Sequence, residues 1–298
     1  MDVVEPVKRT AEIEEVTNLC FIHPLASRLV PVLARLRISP NTVSFAGMVF
    51  GILAAVAYSH YRNISYAATG FLCMVMWHIM DGADGQLARL TRSQSEFGKI
   101  LDGICDYVTF VAVYLSLALS LSAQHGRWVW GVVAAAGACH AFQAAAYEAQ
   151  RQDYNFWGLG LKSAQLLDLR GPVAVARAGS RLQRKSHQVH RLYATIQSFT
   201  VGIDTESRAR LAMMLGSDPE RAAAIRARYC QMFAPMVRRW SMMSANYRTI
   251  AIFVFVLLQR PLYYFWWEIM GLTTIMVILL GLQRRRYALF FARLETVG

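Results

Sequence analysis

The sequence predicts an all-α integral membrane protein. Six transmembrane helices follow an amphipathic interfacial helix, and a helical cytoplasmic insertion separates spans four and five. Three observations predict this. First, the 298 residues are 55% hydrophobic and 17% charged, against about 25% charged in an average soluble domain. Second, six apolar stretches reach membrane-crossing length, at roughly 42–60, 65–89, 98–122, 128–150, 243–259 and 262–283. Third, the basic residues are segregated. The loops assigned to the outer face hold only Arg62, Arg127 and Arg260, and every other Lys and Arg falls on the opposite side. The positive-inside rule then puts both termini in the cytoplasm. This accounts for the net charge of +12 without a nucleic-acid partner, since no soluble basic fold is visible.

The N-terminal cytoplasmic segment is read as 1–41. Its start, MDVVEPVKRTAEIEEV, has neither a basic-then-apolar pattern nor an early cleavage site, so no signal peptide is expected. Within HPLASRLVPVLARLRISP, Leu25, Leu29, Val32 and Leu36 share one face and arginines the other, as in a helix lying in the interface. Pro40 should stop that helix, with Asn41 or Thr42 capping the next. Residues 42–150 form spans one to four. Residues 151–242 form the insertion. Ser217 or Asp218 should cap a helix there, with Pro219 at its first position and Glu220 in its first turn. A second, basic helix is expected over 172–199. Residues 243–298 supply spans five and six and a basic tail. The cysteines Cys20, Cys73, Cys105, Cys139 and Cys230 have no paired spacing and read as free thiols.

The stretch DGADGQLARLTRSQSEFGKILDGICD, at 81–106, puts four aspartates among membrane helices. Intramembrane carboxylates are expensive and need partners or a place near the surface. Asp81 and Asp84 are three residues apart, and Asp102 and Asp106 four, so on helices each pair shares a face. The polar connection LTRSQSEF is short and makes the two helices antiparallel neighbours, with Ser93 or Ser95 as the cap of the second. Two carboxylate pairs then face one cleft near the cytoplasmic side. Hard oxygen ligands in that number suit Mg²⁺ or Mn²⁺, and two such ions about 3.5–4 Å apart would clamp a diphosphate. Gly85, Ala88 and Gly98 remove bulk where a ligand approaches, and Arg89 offers a fork-shaped cation to phosphate.

The pattern Asp81-x2-Asp84-Gly85-x2-Ala88-Arg89-x8-Gly98-x3-Asp102-x3-Asp106 resembles, at all its fixed positions, the signature of the CDP-alcohol phosphotransferase family. The resemblance implies a fold of six spans and an activity. A phosphoalcohol group passes from a CDP-linked alcohol to a hydroxyl acceptor, and CMP is released. It also implies that Asp81, Asp84 and Asp102 are metal ligands. Asp106 would be the general base for the acceptor and would also touch the second metal. Gly85, Ala88, Arg89 and Gly98 would line the cytidine diphosphate pocket. A homodimer is the family's default. The long insertion at 151–242 departs from the usual short connection, and nothing is carried over there.

Two other readings fit less of the sequence. An aspartate-rich membrane prenyltransferase would place its pairs far apart on separate helix pairs. A cation-coupled transporter would spread acids over several spans; apart from Glu148 and Glu268, read as near helix ends, the other spans offer few. CDP-diacylglycerol is the favoured donor, because the body is embedded in lipid. The reverse arrangement, a CDP-headgroup donor with diacylglycerol or a ceramide as acceptor, uses the same motif. Family members with phosphorylated acceptors typically carry Lys or Arg after the last aspartate. Here Tyr107 follows, and the run from Asp106 to Phe110 resembles bacterial phosphatidylcholine synthases locally, which leans toward an unphosphorylated amino alcohol. Against this, Lys99, Arg151 and Arg248 remain available to a phosphate. The stretch Ser244–Arg248 offers polar groups to an acceptor pocket. His78 and His140 read as packed, hydrogen-bonded histidines.

Overall fold

A computed structural model describes residues 12–161 and 205–295. Every regular element among them is helical: α1 His23–Arg35, α2 Pro40–Tyr58, α3 Ile64–Leu90, α4 Glu96–His125, α5 Val129–Asp153, α6 Thr205–Ser217, α7 Pro219–Trp240, α8 Ala245–Leu257, α9 Pro261–Trp266 and α10 Thr273–Glu295. Single π turns lie at Asn18–Ile22, Tyr154–Gly158 and Trp267–Leu272. The basic helix expected over 172–199 lies outside the described residues.

The protein is an all-α membrane protein. Five helical stretches among the described residues are long and apolar enough to cross a bilayer: Pro40–Tyr58, Ile100–His125, Val129–Gly158, Pro219–Leu257 and Pro261–Leu294. The second expected span, α3, has 27 residues and ample length. It is not among the five, because His78, Asp81, Asp84 and Arg89 dilute its apolar run. All five cysteines are free.

Local chemistry explains where these helices begin and end. Ser95 caps α4 and accepts from the Gly98 N–H; Asp218 caps α7 and accepts from the Glu220 N–H, with Pro219 in the first turn. The cap of α2 differs from the expectation. It is Ser39, accepting from the Thr42 N–H, and not Asn41 or Thr42. Pro40 starts the helix instead of ending one, because a missing N–H and fixed φ cost nothing at the first helical position. The helix before it ends at a left-handed residue, Arg37 (φ 54°). There the Arg37 N–H bonds the Ala34 carbonyl and the Ile38 N–H the Leu33 carbonyl, the paired bonds of a Schellman end. Arg92 (φ 52°) ends α3 and Gln259 (φ 59°) ends α8 in the same way.

The chain divides into two compact units. Among the described residues, one comprises 12–140 and 244–272. In it α2 packs along α3 and α4, and α1 along α3. Small residues on α2 permit this. A Cβ on Gly51 would stand 2.3 Å from the Thr109 hydroxyl, and one on Gly47 would stand 3.1 Å from Met80, as expected where membrane helices associate through close backbone approach. Hydroxyls add bonds between helices: Ser116 donates to the Ala55 carbonyl, and Ser120 to the Ser59 carbonyl at 2.8 Å. The apolar core gathers Tyr58, Met74, Trp77, Leu117, Val256 and Phe265. On α1 the packed face is Ala26 and Val30, which meets Val43, Ala83 and Leu87. The stripe read from the sequence is a neighbouring one, with Val32 51% and Leu36 65% exposed, an apolar face left for lipid.

This unit also buries charge. Glu268 lies in the π turn after α9 and is fully buried; it accepts from Arg248 of α8, which is 1% exposed, and from the Tyr264 and Tyr114 hydroxyls. The His140 Nδ1 lies 3.0 Å from the same Tyr114 hydroxyl, and the His78 Nε2 lies 2.9 Å from the Thr249 hydroxyl. Glu268 lies near the start of its span, as read from the sequence, but is buried there, and Arg248 faces its carboxylate. Removing one partner of such a pair strands the other charge. Glu268→Gln is expected to cost about 3–5 kcal/mol, read from unfolding in detergent. Adding Arg248→Met to that variant should recover most of the loss.

Among the described residues, the other unit comprises 141–161, 205–243 and 273–295. Its core is aromatic: Tyr154, Tyr229, Phe233, Tyr287 and Phe290 pack together, and the Tyr229 and Tyr287 hydroxyls lie 2.8 Å apart. Buried Asp153 accepts two bonds from one nitrogen of Arg208, at 2.6 and 2.8 Å. Arg226 donates to the Phe156 and Trp157 carbonyls, satisfying backbone at the end of the π turn. Arg151, one of the cations offered to a phosphate, pairs with Glu148 at 3.0 Å.

Candidate active site

The α3–α4 connection is five residues, Thr91–Ser95, between Leu90 and Glu96. Local hydrogen bonds set its course. The Schellman end at Arg92 closes α3, the Thr91 and Ser93 hydroxyls lie 2.7 Å apart, and Ser95 starts α4. Asp81 falls in the last three turns of α3, and Asp102 and Asp106 in the first three of α4. A carboxylate oxygen from each comes within 4.8 Å of the others, and all three residues are half-buried. The expected neighbour pairing of α3 with α4 is modified: the close packing of each is with α2, and the carboxylates converge beside that contact.

The fourth aspartate is placed differently. Asp84 is 5% exposed and accepts a hydrogen bond from Ser44 of α2. It is not in the trio whose oxygens lie within 4.8 Å of one another. Three convergent carboxylates form an oxygen-only donor set, which fits a hard divalent cation, so Asp81, Asp102 and Asp106 are the residues that would hold one as they stand. Their repulsion without a cation argues the same way.

The small residues of the motif have distinct surroundings. A Cβ on Gly85 would lie 3.5 Å from the Arg89 guanidinium, so Arg89, one turn on, folds back over the space Gly85 leaves. A Cβ on Gly98 would lie 3.1 Å from the Ser95 hydroxyl and 3.4 Å from Asn41 Oδ1. Ala88 is half-buried on the same helix as Arg89, and Tyr107 is 54% exposed. The polar stretch at the start of α8 is engaged by the N-terminal segment. Ser244 and Asn246 both donate to Glu15 Oε2 at 2.8 Å, and Asn246 also donates to Asn18 Oδ1. Sequence reasoning missed Ser44 and the proximity of Asn41 to the motif. Both lie at the start of α2, one turn apart, where the sequence offered only a helix-capping reading.

The fold and site together define an all-helical membrane protein with an acidic cluster, able to hold a divalent cation, beside a short turn. The comparison is specific about the family. Residues 37–169 match the family described as CDP-alcohol phosphatidyltransferase, and the aspartate motif falls inside that stretch. This region is therefore similar to a family whose description names transfer of a phosphatidyl group from a CDP-alcohol. No curated protein matches the chain.

Proposed function

We propose that the protein transfers a phosphatidyl group from CDP-diacylglycerol to the hydroxyl of a small alcohol, releasing CMP, as a step in phospholipid synthesis. The observation that carries this is the convergence of Asp81, Asp102 and Asp106 within 4.8 Å of one another inside the family region. Two Mg²⁺ or Mn²⁺ ions, held by these residues and Asp84, would neutralise the diphosphate and the charge that develops on departing CMP. The chain's own groups do the rest. Arg89 would orient the diphosphate over Gly85, while Gly98 and Ala88 leave room for the nucleotide. Asp106, on the acceptor side, would take the proton of the attacking hydroxyl. Positioning and electrostatics dominate such a transfer. The pairing of Arg248 with Glu268 and of Arg151 with Glu148 supports an unphosphorylated acceptor, and the run from Asp106 to Phe110 leans toward an amino alcohol.

The site would open to the cytoplasm with both termini on that side, as the basic loops suggest, and a homodimer is the expected assembly. A single cysteine at Ser93, in a cysteine-free background, should react with impermeant thiol reagents only once the inner face is exposed. The function is tested by CMP release from CDP-diacylglycerol by purified protein with Mg²⁺ or Mn²⁺, reading the lipid product over a panel of alcohols and phospho-alcohols. Turnover of CDP-linked headgroups with diacylglycerol, and not of CDP-diacylglycerol, would reverse the donor assignment.

A further inference from the structure

Ser44 lies on the second turn of α2, and its hydroxyl donates to Oδ2 of Asp84, 40 residues away. It also lies 3.2 Å from the Pro40 carbonyl. Both Ser44 and Asp84 are buried, at 7% and 5% exposure. We propose that Ser44 is a positioning residue of the metal site: it fixes the direction in which Asp84 presents its carboxylate to the cluster of Asp81, Asp102 and Asp106. The inference rests on reading these aspartates as metal ligands.

Three observations support the role. Asp84 stands outside the convergent trio, so it is the carboxylate whose orientation decides whether a fourth ligand is added. The bond from Ser44 engages Oδ2 and so ties one oxygen of the carboxylate to α2. The partner also comes from the helix best placed to set the geometry of the whole motif. α2 packs along both α3 and α4. Asn41, one turn before Ser44, stands 3.4 Å from where a Cβ of Gly98 would lie, so the first turns of α2 reach the motif on α3 and on α4. A hydroxyl that holds a ligating carboxylate typically governs metal affinity, with losses of about 10–100-fold on its removal. Removal here is local. Ser44→Ala leaves the Pro40 carbonyl its helical N–H partner and takes away the hydroxyl that Asp84 accepts from across the α2–α3 contact.

The test uses the full-length protein in detergent, with Mn²⁺ binding followed by electron paramagnetic resonance of the free ion. Ser44→Ala is expected to bind Mn²⁺ about 10–100-fold more weakly, with its metal-free thermal midpoint unchanged. Ser44→Thr, which keeps the hydroxyl, should restore the affinity. Wild-type Mn²⁺ affinity in Ser44→Ala, alongside its loss in Asp84→Asn and Asp81→Asn, would overturn the inference and leave the metal reading standing. Equal losses in the Ala and Thr variants, or a lower metal-free midpoint with affinity intact, would make Ser44 a packing residue and overturn it too. If Asp81→Asn and Asp102→Asn bind Mn²⁺ as the wild type does, the metal reading itself falls, and this inference with it.

Discussion

Asp102→Asn is expected to abolish CMP release, and Asp81→Asn to do the same. Each contributes an oxygen to a set of three within 4.8 Å, and an amide lacks the negative charge that holds a hard cation. Chelation of the wild type with EDTA should reproduce the loss, and excess Mg²⁺ or Mn²⁺ should reverse it. In both variants the donor should bind poorly as well, because its diphosphate is recognised through the same charge. Most of the wild-type activity surviving in EDTA would remove the metal from the reaction. Asp102 would then have to be explained as an ordinary half-buried carboxylate.

Asp106→Asn is expected to behave differently, although Asp106 shares the cluster. It lies one helical turn beyond Asp102, on the side that reaches the acceptor in the proposed chemistry. Loss of a general base costs about 10²–10⁴ in rate, whereas loss of a ligand costs affinity for metal and donor too. Turnover should therefore collapse by about that factor, with CDP-diacylglycerol affinity falling much less than in Asp102→Asn. Comparing donor affinity and turnover in Asp102→Asn and Asp106→Asn separates the roles. Equal losses of donor affinity in both would sink the base assignment and leave Asp106 a metal ligand only.

Much of this was legible in the sequence, and the reasons are local. A carboxylate three or four residues from another shares its helical face by the geometry of one turn. So Asp81, Asp102 and Asp106 could be brought together on paper once the connection was seen to be short. Ser95 and Asp218 were legible as caps because the capping bond spans two or three residues. What depended on distant partners was not. Ser44 and Asp84 are 40 residues apart, and nothing in either neighbourhood names the other. The packed face of α1 was not legible, because Leu25, Leu29, Val32 and Leu36 form the stronger apolar stripe, whereas it is the small Ala26, with Val30, that packs inward. Helix ends at Arg37, Arg92 and Gln259 carry none of the glycine that usually marks a left-handed terminus. At Pro40 two rules competed. Proline ends helices from within but begins them from the first position, and Ser39 beside it decides for the latter.

The buried Arg248–Glu268 pair has a consequence for how the chain is built into its membrane. α8 and α9 are joined by only Leu258–Arg260, so the two charges sit on the arms of one hairpin. Either arm entering lipid alone would carry an uncompensated charge, costing about 2.5–3.5 kcal/mol even on the lenient insertion scale. Arg248 emerges from the ribosome 20 residues ahead of its counter-ion. The first arm is therefore expected to wait at the translocon until the second has been made, and the two to leave for the bilayer as a neutral unit. Nascent chains truncated after Leu257 should integrate less efficiently than chains extended past Glu268, and Arg248→Leu should erase the difference.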